Sequence, residues 1–558
     1  MIILGIADNH DSGAALMIEG KLVAAVNQER IDRDKNSSAF PYGAIDAVCS
    51  LARISPREID IVVVGTSYTP SAVLRFAHGF HQKYKKEGQF SKALHGYMLY
   101  QSVLRRTGLE QIEKKASQWI VQKNLSAICP QNPDIFMMDH HEAHAQGAYR
   151  TQHLDRCLVL TLDAMGDGCS ATVWQGEKGT LRRLWDQSGL AAINLFYSRI
   201  TEVLGFRPLR HEGKITGLAA RGVIDSDLVE EMRRQVSFSN GKFTRMAVWT
   251  PASKTDAFWK KIQNTNRDIV AACAQKVLEE VTCAYVEHWI KKTGCGNIAL
   301  AGGVFANVRL NQKIALLPCV NSIWVLPHMG DGGLAVGAIL GQNNSTPQSI
   351  KDVFWGPKHN KIDKQRAIQR HSVRIITEDV IEQAVEILCG GGIIARSTGR
   401  MEWGPRALGN RSVLACAQDS SITDRLNQKL HRSDFMPFAP MIREEDASKY
   451  LCDIEKYGHC LSFMTICVHT TPLLQKLAPA IVHIDGTVRP QLIHKEDQPE
   501  IHTLLTRIDE KTGVGVLINT SFNLHEEPIV CTPDESIRAA IAADLDALWL
   551  EEKLLLFR

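Results

Sequence analysis

The stretches ILGIADNHDSGAALMIEG (residues 3–20) and VLTLDAMGDGCSATVWQG (residues 159–176) follow the same plan. Each begins with an apolar strand, passes through an acidic turn into a second strand, and ends at a tight hairpin. Aligned without gaps, they agree at four positions, which are Leu4 with Leu160, Asp11 with Asp167, Ala15 with Ala171 and Gly20 with Gly176. The repeat predicts two copies of one α/β subdomain around a cleft, with the acidic turn of each copy directed at that cleft.

The composition is that of an ordinary enzyme with more than one domain. The chain has 558 residues, which predicts two or three domains, and 44% of them are hydrophobic while 22% are charged. A net charge of +3 gives no reason to expect a nucleic acid or a membrane as a partner. The 14 cysteines form no C-x-x-C pair, which argues against a zinc ribbon and favours a reduced, cytoplasmic protein. The first residues enter a strand directly, so no signal peptide is expected.

Two further segments define the organisation of the chain. The polar stretch Gly341–Pro357 contains two prolines and is typical of a linker. We therefore predict a first domain over residues 1–345 and a second domain over residues 346–558. The basic and aromatic stretch Tyr68–Lys123 lies between the two copies of the repeat, and we predict that it is an insertion that covers the cleft.

A pair of histidines is the clearest candidate for a metal site. His140 and His144 are four residues apart in the helix-compatible run DHHEAHAQGAY (139–149), so they share one helix face. The zinc-hydrolase pattern H-E-x-x-H requires Glu directly after the first His, but His141 stands there. Asp163 and Asp331, each in a glycine-flanked turn after an apolar strand, can complete a set that suits iron, zinc or manganese. A helix with surface histidines is the alternative.

The second domain is rich in arginines on glycine-flanked turns. Arg400, Arg406 and Arg411 lie within STGRMEWGPRALGNRS (397–412), Arg489 follows in TVRPQ, and the polar run NTSFN ends a strand at residues 519–523. Arginine binds phosphate and carboxylate bidentately, so the convergence of these groups predicts an anion pocket, although each alone could be a solvated surface charge. In the first domain AGGVFANVRLN (301–311) reads as strand, glycine turn and helix start, a place where a phosphate can approach the backbone.

The chain resembles the NodU/CmcH-type carbamoyltransferase family, whose members carbamoylate antibiotics, toxins and lipo-oligosaccharide signals. The resemblance covers nearly the whole chain. It rests on motifs that occur in the family's order: HDSGAALMIEG, NQER, HHEAHA, LDAMGDG, HEGKITGLAARG, AGGVFANVRLN, PHMGDGG, WGPRALGNRS, MPFAP, RPQ and NTSFNLHEEPIV. It implies a duplicated N-terminal domain of the actin- and hexokinase-like (ASKHA) α/β fold, which holds nucleotide and metal between its halves, and a C-terminal YrdC-like α/β domain.

The resemblance also implies a reaction in two parts. The YrdC-like domain is expected to bind carbamoyl phosphate and ATP with Mg²⁺ and to make carbamoyl-adenylate. The N-terminal domain is expected to hold the adenylate on a divalent metal, with iron expected before zinc or manganese, and to pass the carbamoyl group to a hydroxyl. The expected acceptor is a small molecule or saccharide, and a homodimer is compatible with the sequence.

The same resemblance assigns roles to individual residues. The implied metal ligands are His140, His144, Asp163 and Asp331. His10 would be the general base, although a structural hydrogen bond in its turn is an equal alternative, and Lys214 would join it in catalysis. Gly213, Lys214, Gly302, Gly303 and Asn307 would face the nucleotide. Arg406, Arg411, Lys429, Arg432, Arg489, Asn519 and Ser521 would line the carbamoyl phosphate site. Met436 stands where other members carry an arginine, and Arg411, Lys429 or Arg432 are candidates to replace it.

Three other functions are alternatives to this one. A tRNA threonylcarbamoyl enzyme shares both domain types, but the net charge and the RALGNRS and NTSFN motifs argue against it. A hydrogenase-maturation carbamoyltransferase would carry zinc ribbons and the opposite domain order. An actin-like ATP-binding protein or a sugar kinase would need neither the histidine pair nor the second anion pocket.

Overall fold

The computed structural model describes residues 1–76, 92–244, 257–344, 346–371, 373–432 and 438–557. Two compact units are formed, one by Met1–Val23 with Ser38–Ser349 and the other by Ala24–Ser37 with Ile350–Arg558. The sequence placed residues 24–37 in the first domain, whereas they pack with the second unit. There Arg30 Nη2 donates to the carbonyl of Gly404 at 2.9 Å and Arg33 Nη1 to that of Ile529 at 2.7 Å. The NQER motif at residues 27–30 therefore belongs to the second unit.

The first unit contains two five-stranded sheets of one topology. The first sheet has the order β3-β2-β1-β4-β5 and consists of β1 Ile2–Ala7, β2 Gly13–Ile18, β3 Lys21–Asn27, β4 Ile61–Val64 and β5 Asp134–Met137. The second has the order β8-β7-β6-β11-β12 and consists of β6 Cys157–Gly166, β7 Cys169–Glu177, β8 Thr180–Ser188, β11 Asn297–Ala301 and β12 Ser322–Val325. In each, the first strand pairs antiparallel with the second and parallel with the fourth. The predicted duplication and α/β class are confirmed.

The hairpins show how the two copies differ. The first acidic turn places Asp11 at φ 58°, and its counterpart Asp167 has φ 47°, so this pair is equivalent in structure as well as in sequence. The second hairpin turns at Glu19-Gly20 in one copy and at Lys178-Gly179 in the other, all at positive φ. The predicted equivalence of Gly20 with Gly176 is therefore wrong, because β7 is longer than β2. Gly176 lies within β7, where a Cβ would stand 2.3 Å from Cε2 of Tyr149.

The acidic segment of the second copy is partly strand rather than turn. The sequence predicts an acidic turn directly after the first strand of this copy. Instead β6 continues to Gly166, with an irregular register between Leu162 and Gly166. Asp163 therefore lies in the irregular part of β6, between Leu162 and Gly166.

The helices connect and cover these sheets. Helix α1, Glu29–Asp32, belongs to the second unit. The helices of the first unit are α2 Tyr42–Ala52, α3 Ala72–Phe76, α4 Lys92–Thr107, α5 Glu110–Leu125, α6 His140–Arg150, α7 Ile193–Val203, α8 Glu212–Ala219, α9 Ser226–Gln235, α10 Ala257–Asn264, α11 Arg267–Thr293, α12 Val308–Ala315 and α13 Leu334–Asn343. A short ribbon joins β9 Phe238–Ser239 and β10 Lys242–Phe243. The described part of the predicted insertion thus consists of α3, α4 and α5. No helix in the described ranges has the length and apolarity needed to cross a membrane.

The second unit is built on an eight-stranded mixed sheet. Its order is β13-β22-β21-β14-β15-β20-β16-β19. These strands are β13 Arg374–Ile376, β14 Ile393–Ser397, β15 Arg411–Cys416, β16 Ala439–Arg443, β19 Gln491–Ile493, β20 Val516–Ser521, β21 Ala547–Leu550 and β22 Lys553–Leu556, and a separate ribbon pairs β17 Val468–His469 with β18 Thr487–Val488. The helices are α14 Lys361–Gln369, α15 Val380–Cys389, α16 Ser421–Lys429, α17 Ala447–Tyr450, α18 Pro472–Leu477, α19 Pro499–Thr512 and α20 Pro533–Ala542.

Helix α19 shows why one face of this sheet is covered. Its apolar residues Ile501, Leu504, Leu505 and Ile508 recur at helical spacing and are fully buried. They pack with α15 against strand residues that include Leu414 and Leu517. The loop after β14, which carries the arginine-rich motif, and the end of β20, which carries the NTSFN motif, emerge from this core.

Candidate active site

Four side chains of the first unit meet at the beginning of α6. Nε2 of His144 lies 3.2 Å from Oδ2 of Asp163, and Nε2 of His140 lies 3.9 Å from the same oxygen. Both histidine Nε2 atoms lie 3.6 Å from Oδ1 of Asp331. One ligand atom from each residue fits within 4.8 Å of all the others. The structure therefore brings together the four residues that the sequence singled out.

The start of α6 is fixed by two aspartates. Asp139 caps the helix by accepting the backbone N–H of Glu142 at 3.0 Å. Asp167 accepts the backbone N–H of His140 at 2.9 Å and also those of Ser67 and Tyr68, at 2.7 and 2.9 Å. The sequence noted Asp167 only as part of an acidic turn. Its fully buried carboxylate joins the loop after β4 to the first metal-ligand candidate.

The two carboxylates of the cluster are oriented by neighbouring loops. Asn9 Nδ2 donates to Oδ2 of Asp331 at 2.8 Å, and the backbone N–H of Gly303 donates to Oδ2 of Asp163 at 3.1 Å. Gly302 has φ 102° and donates its N–H to Met329 O at 2.7 Å. A Cβ on Gly302 would lie 2.1 Å from the carbonyl oxygen of Leu162. Only glycine therefore lets the backbone at residue 302 pass so close to the segment that carries Asp163.

The donor set fits a divalent metal ion. The ring nitrogens of His140 and His144 are buried and make no directed hydrogen bond within the described part of the chain. Burial opposes protonation of His140, but Asp331 and Asp163 outweigh it and raise its pKa to about 9. Burial likewise opposes ionisation of Asp163, yet the two histidines hold its pKa well below the usual range. Two imidazoles facing two carboxylates form a set that borderline metals such as iron, zinc and manganese accept.

His141 has a structural role, unlike His140 and His144. Its Nδ1 lies 2.7 Å from Oγ1 of Thr161, and its Nε2 lies 3.1 Å from the carbonyl oxygen of Cys169. Burial and the nearby His140 lower the pKa of His141 to about 3, so this ring stays neutral. A neutral ring with both nitrogens bonded ties α6 to β6 and β7. This explains why the middle histidine of the motif is not a ligand.

Gly166 provides a first test of the centre. A Cβ at this position would lie 2.1 Å from both Cγ and Cδ2 of His140, so Gly166→Ala must displace that ring. We expect the affinity for a divalent metal, measured by Co²⁺ titration, to fall by about tenfold or more. Gly96→Ala in α4, where a Cβ would meet nothing within 4 Å, is the matched control. Equal Co²⁺ affinity in the two variants would contradict this role for Gly166.

His10 lies in the loop that also supplies Asn9. Its Nδ1 is 3.3 Å from Oδ2 of Asp11, and its side chain is 35% exposed, so it can reach a bound molecule. Near it lies Glu212, whose carboxylate accepts from Ser198 Oγ at 2.5 Å and Leu209 N at 2.6 Å. Burial raises the pKa of Glu212. No role was predicted for this glutamate from the sequence, although it stands in the HEGKITGLAARG motif.

The residues expected to face the nucleotide fall into two groups. Lys214 and Gly213 lie at the start of α8, where Lys214 Nζ is 5.6 Å from the centre of the Phe206 ring and Gly213 is exposed. Asn307, in contrast, is engaged within the fold. It caps α12 through Leu310 N at 3.1 Å and bonds Gln275 Oε1 at 2.8 Å. Helix capping therefore explains why Asn307 occurs in the motif, and close packing explains why Gly302 does.

Three arginines form a second cluster, in the second unit. Burial and the neighbouring Arg489 lower the pKa of Arg406 to about 9 and that of Arg432 to about 10. The Nε atoms of Arg406 and Arg489 are buried without a hydrogen-bond partner in the described ranges. Arg432 donates through Nη2 to Oγ of Ser521 at 2.9 Å and through Nη1 to Oγ1 of Thr520. Adjacent guanidinium groups that no carboxylate of the described residues neutralises provide a site for an anion.

Two other predicted members of this pocket lie elsewhere. Arg411 is fully buried and donates to backbone carbonyls, including those of Thr398 at 2.7 Å and Asn410 at 2.9 Å, so it orders the arginine-rich loop instead of binding a ligand. Lys429 lies at the end of α16 and pairs with Asp544, Nζ to Oδ2 at 2.7 Å. Both expectations are corrected, because Arg411 is held by carbonyl groups of its own loop and Lys429 by Asp544 from a distant segment. Met436 lies outside the described residues.

Asn519 and Ser521 have contrasting environments at the end of β20. Asn519 donates through Nδ2 to Ala407 O at 2.9 Å and to Gln491 Oε1 at 2.7 Å, while its Oδ1 is buried without a partner in the described chain. It therefore holds the ALG turn beside Arg406. Ser521 contacts Arg432 directly and belongs to the arginine cluster.

The contrast between Lys429 and Arg432 can be tested. Lys429→Ala should change the affinity for inorganic phosphate by less than about threefold, because its exposed ion pair contributes little. Arg432→Ala should weaken the same affinity by about tenfold or more, because a hydrogen-bonded charge at the anion site is lost. A larger loss in the Lys429 variant than in the Arg432 variant would reverse the assignment.

Two descriptions of known protein families match this chain. The family described as Carbamoyltransferase N-terminus matches residues 2–340, and the family described as Carbamoyltransferase C-terminus matches residues 385–556. The chain belongs to the carbamoyltransferase family. It is therefore an enzyme that transfers carbamoyl groups, as the motifs predicted, and the carbamoyltransferase N-terminus contains the whole His-Asp cluster.

Individual relatives span most of the chain. An uncharacterized protein of Methanocaldococcus jannaschii is 29% identical over 570 residues, which cover 99% of each chain. Nodulation protein NolO of Bradyrhizobium diazoefficiens is 30% identical over 434 residues, or 74% of this carbamoyltransferase and 77% of NolO. Among solved structures, T. kodakarensis HypF aligns with a TM-score of 0.36 and 11% identity over 62% of this chain and 48% of that one. This last similarity is too low to support an argument.

Proposed function

We propose that this carbamoyltransferase forms carbamoyl-adenylate in its second unit and transfers the carbamoyl group to a hydroxyl in its first. The observation that carries the proposal is that two different sites occur in two different units. One is a cluster of arginines suited to phosphate, and the other is a His-His-Asp-Asp set suited to a metal. A carbamoyltransferase that used carbamoyl phosphate directly would need only one such site.

The proposed first half-reaction uses the arginine cluster. Water hydrolyses carbamoyl phosphate to carbamate and inorganic phosphate. A carbamate oxygen then attacks the α-phosphorus of ATP and displaces pyrophosphate. Arg406, Arg432 and Arg489 would bind the anionic donor and stabilise the charge that develops on phosphorus. Ser521 would hold Arg432 in place, and Mg²⁺ would accompany ATP.

The proposed second half-reaction is an acyl transfer. The acceptor oxygen attacks the carbamoyl carbon, the bond from this carbon to the AMP oxygen breaks, and AMP leaves. Asp11 beside Nδ1 of His10 favours the tautomer with its proton on Nδ1, so Nε2 can take the acceptor's proton. Lys214 would contact the nucleotide phosphate. A divalent metal held by His140, His144, Asp163 and Asp331 would offset negative charge on the leaving group.

The test uses ATP and carbamoyl phosphate with the purified protein. We expect pyrophosphate release that requires carbamoyl phosphate, with no accumulation of ADP. ADP as the main product would favour a kinase-like function, and pyrophosphate release that requires threonine and bicarbonate would favour a tRNA-modifying function. Elemental analysis of protein purified without chelators would identify the metal as iron, zinc or manganese.

The acceptor is proposed to be a saccharide or a small natural product with a free hydroxyl. Transfer of the label from [¹⁴C]carbamoyl phosphate to a panel of aminoglycosides, oligosaccharides and alcohols would identify the class. Labelling of tRNA alone would contradict the proposal.

A further inference from the structure

One buried arginine in the predicted insertion contacts both loops that support the metal-ligand cluster. Arg75, in α3, has a side chain with no solvent exposure, and its partner Asp8 is 1% exposed. Arg75 donates through Nε and Nη2 to the two carboxylate oxygens of Asp8, at 2.8 and 3.0 Å. It also donates to Oγ1 of Thr66 at 2.7 Å and to the carbonyl of Ser67 at 3.2 Å. Four of its five N–H donors are thereby used.

The first set of contacts leads to Asp331. Asp8 begins the loop after β1, and the next residue, Asn9, donates to Asp331 at 2.8 Å. His10, the proposed base, follows directly. Because Asp8 is bonded on both oxygens, the path of the chain into Asn9 and His10 is fixed at its first residue.

The second set of contacts leads to His140. Thr66 and Ser67 end the segment after β4, and the backbone N–H of Ser67 donates to Oδ2 of Asp167 at 2.7 Å. The same oxygen accepts the N–H of His140 at 2.9 Å. A single guanidinium thus supports one loop that orients a carboxylate and another that anchors the first histidine.

We propose that Arg75 is a positioning residue of the metal centre, so that the insertion helps to build the site. This inference rests on the proposed metal function. A fully buried ion pair contributes no more stability than a well-packed apolar pair, so its defining property is geometry. Lysine keeps the charge but presents a single nitrogen, which cannot replace the planar fork that meets Asp8, Thr66 and Ser67 together.

The test is Arg75→Lys, with Co²⁺ as the probe of the metal site. Arg150→Lys is the matched control, because Arg150 is also a buried arginine, 3% exposed, but stands at the far end of α6, where Nε donates to Gln146 at 2.7 Å. We expect Arg75→Lys to weaken Co²⁺ binding by about tenfold or more and to shift its visible absorption bands, whereas Arg150→Lys should retain the wild-type spectrum. An unaltered spectrum and affinity in Arg75→Lys, or equal changes in both variants, would overturn the inference.

A second variant covers the case in which Arg75→Lys does not fold. Asn9→Ala leaves the ion pair intact and removes only the contact between this loop and Asp331, so it should shift the Co²⁺ bands without lowering the midpoint of thermal unfolding. An unchanged spectrum in Asn9→Ala would also count against the inference. If the wild-type protein itself bound no Co²⁺, the metal proposal would fail. If the wild-type protein bound Co²⁺ and the variants bound it in the same way, only the inference about Arg75 would fail.

Discussion

His144→Ala is expected to abolish transfer to the acceptor while carbamoyl-phosphate-dependent pyrophosphate release continues. His144 is fully buried, and its Nε2 lies 3.2 Å from Asp163 and 3.6 Å from Asp331, so the variant removes one of four ligand atoms. The transfer rate should fall by a factor on the order of 10³, since a metal ion supplies several kcal/mol of charge stabilisation in reactions of this kind. The two rates are measured separately, as labelled product and as pyrophosphate.

His153→Ala is the control for this prediction. His153 follows α6 closely but is exposed and stands outside the cluster. Its variant should keep both half-reactions. If His144→Ala lost pyrophosphate release to the same extent as transfer, the two activities would depend on one site and the proposal would be wrong.

Arg489→Ala should have the opposite effect. Its side chain is half-buried beside Arg406 and Arg432, and burial lowers its pKa. Its Nε atom has no hydrogen-bond partner among the described residues, so its charge lacks compensation there. An anionic substrate would supply that compensation. Loss of this group should reduce pyrophosphate release by about 10²-fold or more, in the range found when one preorganised donor is removed from a developing anion. Metal content should be unchanged.

Arg507→Ala is the matched control in the same unit. Arg507 is 50% exposed and pairs with Glu382 at 3.0 Å and Glu510 at 2.9 Å, so its charge is solvated and compensated. Its variant should release pyrophosphate at the wild-type rate. A comparable loss in Arg507→Ala and Arg489→Ala would show that general charge, not the cluster, controls the reaction.

The parts of the structure that local periodicity determines were predictable. Two histidines four apart on a helix face the same way, and a repeated strand-turn-strand pattern gives the same sheet twice. These two rules sufficed to place His140 beside His144 and to predict the duplicated fold. Asp163 followed because it lies in an acidic segment after an apolar strand, and Asp331 because it lies in a glycine-flanked turn after another such strand.

Residues whose partners come from distant segments were harder to predict. Lys429 looked like an anion ligand in sequence, but Asp544, 115 residues away, already pairs with it. Nothing near Asn307 in sequence indicates that its amide bonds Gln275. The role of Arg75 depends on Asp8, which is 67 residues away. Such pairings are set by tertiary packing, which a single sequence does not contain.

The most direct test of two sites in one chain is to supply synthetic carbamoyl-adenylate to Arg489→Ala together with the acceptor found in the labelling screen. The proposal predicts that carbamoyl transfer returns to near the wild-type rate, because only formation of the adenylate is impaired. His144→Ala given the same adenylate should remain inactive. Failure of the adenylate to restore transfer in Arg489→Ala, while the wild-type enzyme uses it, would contradict the division of the reaction between the two units.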